Sequence, residues 1–202
     1  MDTSFLNSNK IVPVVVIDDA RRTLPVIGAL RRGGITVAEI TFRTPCAGEA
    51  IKAAAEAFPD MSIGAGTVIN REQCERAIKA GAKFIVSPGT SKPVLDCCRE
   101  NGVPYLPGTA TATEIMAALD EGLTLLKFFP AEALGGVKTL KALAAAFPGV
   151  TFMPTGGISP ANIGDYLRLP FVAAAGGSWM MKGSEDEIAA LSREAVKAVS
   201  EL

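Results

Sequence analysis

Short runs of β-branched and apolar residues alternate along the chain with longer segments of helical spacing. The apolar runs begin near Ile11 (IVPVVVI), Val37 (VAEITF), Ser62 (SIGAGTV) and Phe84 (FIVSPG), then near Pro104 (PYLPGT), Leu125 (LLKFFP), Thr151 (TFMPTGG) and Phe171 (FVAAAGG). Their starts lie roughly twenty to twenty-six residues apart, which is room for one strand, one helix and two short turns. Between the runs, apolar residues recur at helical spacing: Ala47, Ala50, Ile51, Ala54 and Phe58 form one stripe in CAGEAIKAAAEAF. Helix boundaries carry their own signals. Asn70 reads as an N-cap and Gly81 as a stop. Thr111 with Glu114 forms a capping box ahead of a helix ending at Gly122. Ser159 reads as a cap with Pro160 at the first helical position. The last helix opens on Ser184-Glu185-Asp186-Glu187, which complements the helix dipole.

Eight such strand–helix units predict an α/β protein with a parallel sheet, because each parallel crossover needs a helix. A single-domain (β/α)8 TIM barrel over residues 1–202, its parallel sheet closed and residues 1–10 an N-terminal extension, fits this spacing. An open doubly wound sheet is the alternative, but no G-x-G-x-x-G follows the first strand.

A parallel strand covered on both faces should be almost wholly apolar. Two strands break that rule. In VAEITFR, Glu39, Thr41 and Arg43 share one face and Ala38, Ile40 and Phe42 the other. The apolar face should meet the helices, so Glu39, Thr41 and Arg43 should point into the barrel or its mouth. In LLKFFP, Lys127 shares a face with Leu125 and Phe129. A buried ammonium is costly unless paired or neutral, and the neutral amine is the form that attacks a carbonyl. The plain alternative is a buried Glu39–Lys127 ion pair that fixes strand register, although such pairs stabilise poorly compared with apolar isosteres. Arg43 reads equally well as a rim arginine.

Glycines cluster where the seventh and eighth strands end, at Thr155-Gly156-Gly157 and Gly176-Gly177-Ser178. In barrels of this kind those two loops bind phosphate, and glycine lets backbone N–H groups approach an anion. Gly64-Ala65-Gly66-Thr67 and Ser87-Pro88-Gly89 end two further strands with small residues. Trp179, Met180 and Met181 follow the last loop and read as core or oligomer contacts.

Composition narrows the chemistry. The 202 residues hold 20 Lys and Arg, 21 Asp and Glu and no His, for a net charge of −1. The balance gives no sign of a nucleic-acid or membrane partner. Without histidine there is no Ser-His-Asp or Cys-His nucleophile and no His-ligated metal, so carboxylate, lysine, hydroxyl or thiol must act. Four cysteines (Cys46, Cys74, Cys97 and Cys98) form no C-x-x-C pair and read as free thiols in a reducing cytoplasm. The opening MDTSFLNSNK lacks the features of a signal peptide, and no apolar run approaches the ~20 residues of a membrane span.

The motifs V-A-E-I-T-F-R-T (37–44), G-A-G-T-V (64–68), S-P-G (87–89), K-F-F-P-A-E (127–132), P-T-G-G-I-S-P-A-N (154–162) and G-G-S-W (176–179) resemble the 2-keto-3-deoxy-6-phosphogluconate (KDPG) and 4-hydroxy-2-oxoglutarate aldolases. The resemblance spans nearly the whole chain. It implies a (β/α)8 barrel assembled as a homotrimer, a phosphorylated 2-keto acid substrate, and no cofactor or metal beyond a covalent lysine Schiff base. By motif, Lys127 resembles the Schiff-base lysine and Glu39 the acid/base. Arg43 and Thr67 resemble the holders of the substrate carboxylate, Pro88 a lining residue of that site and Phe129 a pocket wall. Thr155 resembles a hydroxyl contact, and Gly156, Gly157, Gly177 and Ser178 the phosphate cradle. The chain departs from the family pattern at Leu134 and in a shorter segment after Trp179. Two rival readings keep the phosphate site: an isomerase or synthase without a covalent intermediate, and a ligand-binding barrel without catalysis.

Overall fold

Each apolar run contributes strand structure, and every pairing between strands is parallel. The computed structural model describes residues 3–7 and 9–202. Its strands are β1 (Ile11–Val15), β2 (Val37–Thr41), β3 (Ser62–Gly66), β4 (Ile85–Val86), β5 (Tyr105–Leu106), β6 (Gly108–Thr109), β7 (Leu125–Phe128), β8 (Thr151–Pro154) and β9 (Ala175–Gly177). Its helices are α1 (Thr23–Arg32), α2 (Ala47–Ala57), α3 (Arg71–Lys79), α4 (Lys92–Asn101), α5 (Ala112–Asp120), α6 (Gly136–Ala146), α7 (Ile163–Leu167) and α8 (Glu185–Ser200). A six-stranded sheet runs β5-β4-β3-β2-β1-β9 and a three-stranded sheet runs β6-β7-β8.

Eight strands in one sheet were the expectation, and the difference has local causes. The fifth run divides into β5 and β6 at Pro107, which has no N–H to continue the ladder although its carbonyl accepts from Lys127 N at 2.8 Å. The eighth run does not form a strand at Phe171. Val172 makes only a bridge to Phe152 in β8, Gly176 bridges Thr155, and the regular strand begins at Ala175, where the partner becomes Ile11 of β1. The segment thus changes partners from one sheet to the other.

Period-two alternation sorts the side chains as expected. Ala38 and Ile40 of β2 join the large apolar cluster beneath the helices, with Phe42 just beyond the strand. Val37, Val12, Phe84, Val86, Leu106, Met153 and Ala174 form a second cluster to which both sheets contribute. Leu6, on a short 3-10 turn (Ser4–Asn7), is 1% exposed within this inner cluster, and Phe5 stacks on Phe84 with ring centroids 4.5 Å apart. Of the ten residues expected to form an extension, Met1, Asp2 and Ser8 lie outside the described residues. The described ones cover the end of the fold at which the strands begin.

Most helix signals hold. Asn70 caps α3 by accepting from Gln73 N, and Gly81 follows it at φ +96°. Thr111–Glu114 and Ser184–Glu187 both form complete capping boxes. Ser159 is not an N-cap: α7 starts at Ile163 behind Asn162, whose Oδ1 accepts from Ser159 N at 2.8 Å. A β-turn closed by Asn162 N donating to Ser159 O at 3.2 Å therefore takes up the residues expected to form the first helical turn. The four cysteines are free thiols, with Cys74 and Cys98 Sγ 3.6 Å apart. Burial is the leading cause that pushes the Cys97 thiol up to about 12. No described helix is long and apolar enough to cross a membrane.

Leu6→Ala should lower the unfolding free energy by about 2–4 kcal/mol in denaturant titration, the usual cost of a buried leucine cavity. A loss below about 1 kcal/mol would show that the 3-10 turn does not belong to the core.

Candidate active site

Rising two residues along a strand, about 6.6 Å, returns a side chain to the same face. Glu39 stands two residues beyond Val37 and Lys127 two beyond Leu125, so both lie one layer above the inner apolar cluster. There they meet from different sheets: Lys127 Nζ is 3.5 Å from Glu39 Oε1, with side chains 5% and 0% exposed. The contact lacks hydrogen-bond geometry, and neither Glu39 oxygen has a hydrogen-bond partner among the described residues. Phe129, two residues further along, places its ring centroid 5.1 Å from Nζ. Space for the carboxylate comes from Gly66, where a Cβ would fall 1.9 Å from Glu39 Oε1. On the lysine side, Gly108 pairs in register with Lys127, and its missing side chain admits the Pro88 carbonyl.

Above this pair the strand ends and their loops enclose a cavity of about 540 Å³. Arg43, Phe129, Thr155, Gly156, Gly157, Gly177 and Ser178 all line it. Arg43 Nε donates to Thr67 Oγ1 at 3.2 Å, which ties the arginine to the β3 loop. Thr67 itself holds φ +56°, a left-handed conformation uncommon outside glycine and the kind of strain that collects at functional sites. Thr155 is buried, and its Oγ1 has no partner among the described residues. Lys127, Glu39, Pro88 and Thr67 are not part of the cavity lining: the first two lie buried at its base, and Pro88 is exposed.

Several lining residues escaped sequence reasoning. Val14 and Val16 continue the inward face of β1, a period-two signal available in the sequence. Trp179, read as a core or oligomer contact, lines the cavity, with its ring where a Gly177 Cβ would otherwise lie; Met180 is the buried core residue. Lys182 and Ser159 also face the cavity, and no spacing rule marks either. Glu132 was quoted only as part of a motif. Tyr166 OH donates to its Oε1, its N bonds Gly156 O at 3.0 Å, and its side chain fills the space beside Gly157, which holds φ +80°. The glycine turn is therefore clamped from below by a tyrosine–carboxylate pair.

The neighbouring loops are tied by similar means. Ser87 Oγ donates to Val68 O at 2.5 Å, and Tyr105 OH accepts from Ser91 N at 3.1 Å.

A buried amine beside a carboxylate, beneath a mouth with a guanidinium and glycine backbone, is the set of groups an α/β enzyme for small anionic carbonyl compounds requires. The comparisons with known proteins agree. The family described as "Aldolase: KDPG and KHG aldolase" matches residues 3–198. The KHG/KDPG aldolase of Escherichia coli (strain K12) is 46% identical over 200 residues, covering 96% of this chain and 94% of that one. The 2-keto-3-deoxy-6-phospho-gluconate aldolase structure from Zymomonas mobilis superposes with a TM-score of 0.91 at 42% identity, over 96% of this chain and 95% of that one. A KDPG aldolase structure from Legionella pneumophila, with pyruvate captured at low pH as a covalent carbinolamine, gives 0.87 at 39% identity, over 98% and 96%. The chain belongs to the KDPG and KHG aldolase family.

Burial, then the bond to Glu132, raises the Tyr166 phenol well above its ordinary value of 10.0. A group that holds its proton more tightly when folded stabilises the fold below its unfolded value, and that stability is lost as pH climbs past it. Stability should therefore fall as pH rises above 10, and Tyr166→Phe should flatten that slope while costing about 1–2 kcal/mol at neutral pH. Denaturant titrations from neutral pH upward measure both, and an unchanged alkaline slope in the variant would remove Tyr166 from the account.

Proposed function

We propose that the chain is a class I aldolase that reversibly cleaves 2-dehydro-3-deoxy-6-phosphogluconate to pyruvate and D-glyceraldehyde 3-phosphate. The same chemistry extends to 4-hydroxy-2-oxoglutarate, giving pyruvate and glyoxylate. The observation that carries the reading is the buried amine of Lys127, 3.5 Å from the unbonded carboxylate of Glu39. The covalent pyruvate adduct of the Legionella relative supports it.

In this mechanism the neutral amine of Lys127 attacks the C2 ketone, and the carbinolamine loses water to give an iminium. Glu39 removes the C4 hydroxyl proton as the C3–C4 bond breaks, the bonding electrons pass into the iminium, and the aldehyde leaves. Glu39 then returns a proton to C3 of the enamine, and water hydrolyses the pyruvate iminium. The iminium is the electron sink, so the chemistry needs no metal or cofactor. Arg43 and Thr67 hold the substrate carboxylate, with Pro88 behind them and Phe129 as a wall. Thr155 contacts a substrate hydroxyl, and Gly156, Gly157, Gly177 and Ser178 take the phosphate.

The reading includes a single (β/α)8 barrel domain in which β5 and β6 count as one strand interrupted at Pro107. Two features support closure: side chains of both sheets meet in the inner cluster, and the bridges Phe152–Val172 and Thr155–Gly176 link β8 to the β9 segment. Family resemblance extends it to a homotrimer working in the cytoplasm.

Borohydride reduction with pyruvate should trap an adduct on the peptide carrying Lys127, read by mass mapping, and Lys127→Arg should abolish it. An adduct elsewhere, or none, sinks the mechanism. Glu39→Gln should lower kcat by about 10²-fold or more in a coupled aldehyde-release assay, because one group serves each proton transfer. A fall of less than about tenfold would mean that another group moves the protons.

A further inference from the structure

The cavity wall carries two cations, Arg43 and Lys182, and no carboxylate. Only Arg43 has a role in the mechanism above. The two rise from opposite sides of β1, Arg43 past the end of β2 and Lys182 past the end of β9. Strands in those positions are two spacings, about 10 Å, apart. A substrate with a carboxylate at one end and a phosphate at the other presents its two anions at a comparable separation.

The loop after β9 accounts for the placement of Lys182. Met181 N donates to Ser178 O at 3.0 Å, so the chain turns back directly after the proposed phosphate cradle. Gly183 then takes φ +83°, and Ser184 caps α8. Of the three acids that follow, Glu185, Asp186 and Glu187, the last two have partners elsewhere, although Glu187 also lines a second cavity beside Lys182. Glu187 Oε2 accepts from Ser184 N at 2.7 Å and Ser184 Oγ at 2.9 Å, and Asp186 lies 3.5 Å from Arg32. Lys182 has no hydrogen bond or ion pair among the described residues. The cradle itself offers only neutral donors, namely glycine N–H groups and the Ser178 hydroxyl. Neutral donors bind an anion more weakly than charged ones, and a flexible ammonium suits phosphate as a point charge.

We infer that Lys182 is a specificity-determining residue that closes over the substrate phosphate and favours phosphorylated 2-keto acids over unphosphorylated ones. The inference rests on the aldolase reading and deepens it at the phosphate end. Ser178 and the glycine turns position the phosphate, and Lys182 supplies the charge that separates a phosphorylated substrate from one lacking it.

The test compares kcat/KM for 2-dehydro-3-deoxy-6-phosphogluconate and 4-hydroxy-2-oxoglutarate in the unaltered protein, Lys182→Met and Lys182→Arg. The phosphorylated-to-unphosphorylated ratio should fall about tenfold in Lys182→Met and recover in Lys182→Arg. Rising ionic strength should weaken binding of the phosphorylated substrate in the unaltered protein, and this dependence should shrink in Lys182→Met. A ratio that moves less than threefold, or an arginine variant as impaired as the methionine one, overturns the inference. Failure of the aldolase reading would appear separately, as absence of a pyruvate adduct on Lys127 in the unaltered protein.

Discussion

Burying an amine and a carboxylate together is costly for a fold, and Lys127 and Glu39 meet in this way from two different sheets. Apolar residues of similar volume would hold those strands at least as well. On the proposed mechanism the pair serves the ligand, since the unbonded carboxylate oxygens and the amine would then be the groups that act on the reacting carbons. The neighbourhood is shaped around this constraint. Gly66 gives up its side chain to admit the carboxylate, and Gly108 gives up its own beside the lysine.

The site is rigid below and adaptable above. Beneath the pair, an apolar layer fixes the strand positions. Above it, polar ties fasten the loops, among them Ser87 to the β3 loop, Tyr105 to the segment after β4, and Tyr166 through Glu132 to the glycine turn after β8. These ties satisfy backbone and side-chain groups that would otherwise be orphaned at the strand ends. They leave Arg43, Ser178 and Lys182 exposed at the rim, where side chains can adjust to what enters.

Much of this could be read in the sequence, for identifiable reasons. Strand periodicity is two, so one charged residue in an apolar run declares which face it takes; Glu39 and Lys127 were found that way, and their meeting follows from the topology. Capping boxes at Thr111 and Ser184 depend on three-residue spacings that survive any tertiary context. What stayed hidden depends on long-range packing. Pro107 divides a strand because of a missing donor, while Ala175 takes a new partner only because β1 lies beside it. The roles of Trp179 and Lys182 follow from one turn after Ser178, whose direction no local pattern specifies. Leu6 reads as part of an N-terminal extension, and its place is made by the start of the inner core against which it packs.

The buried lysine has a kinetic consequence. With Leu6 and Phe5 packed over the end where the strands begin, the inner apolar cluster is covered there, and the cavity lies at the opposite end of the strands. On the proposed mechanism, pyruvate stays bonded to the deeply buried Lys127 after the aldehyde has been released, so the aldehyde departs first and, in the synthetic direction, pyruvate binds first. A compulsory sequence of binding and release would thus come from the covalent bond to the lysine, without a moving lid.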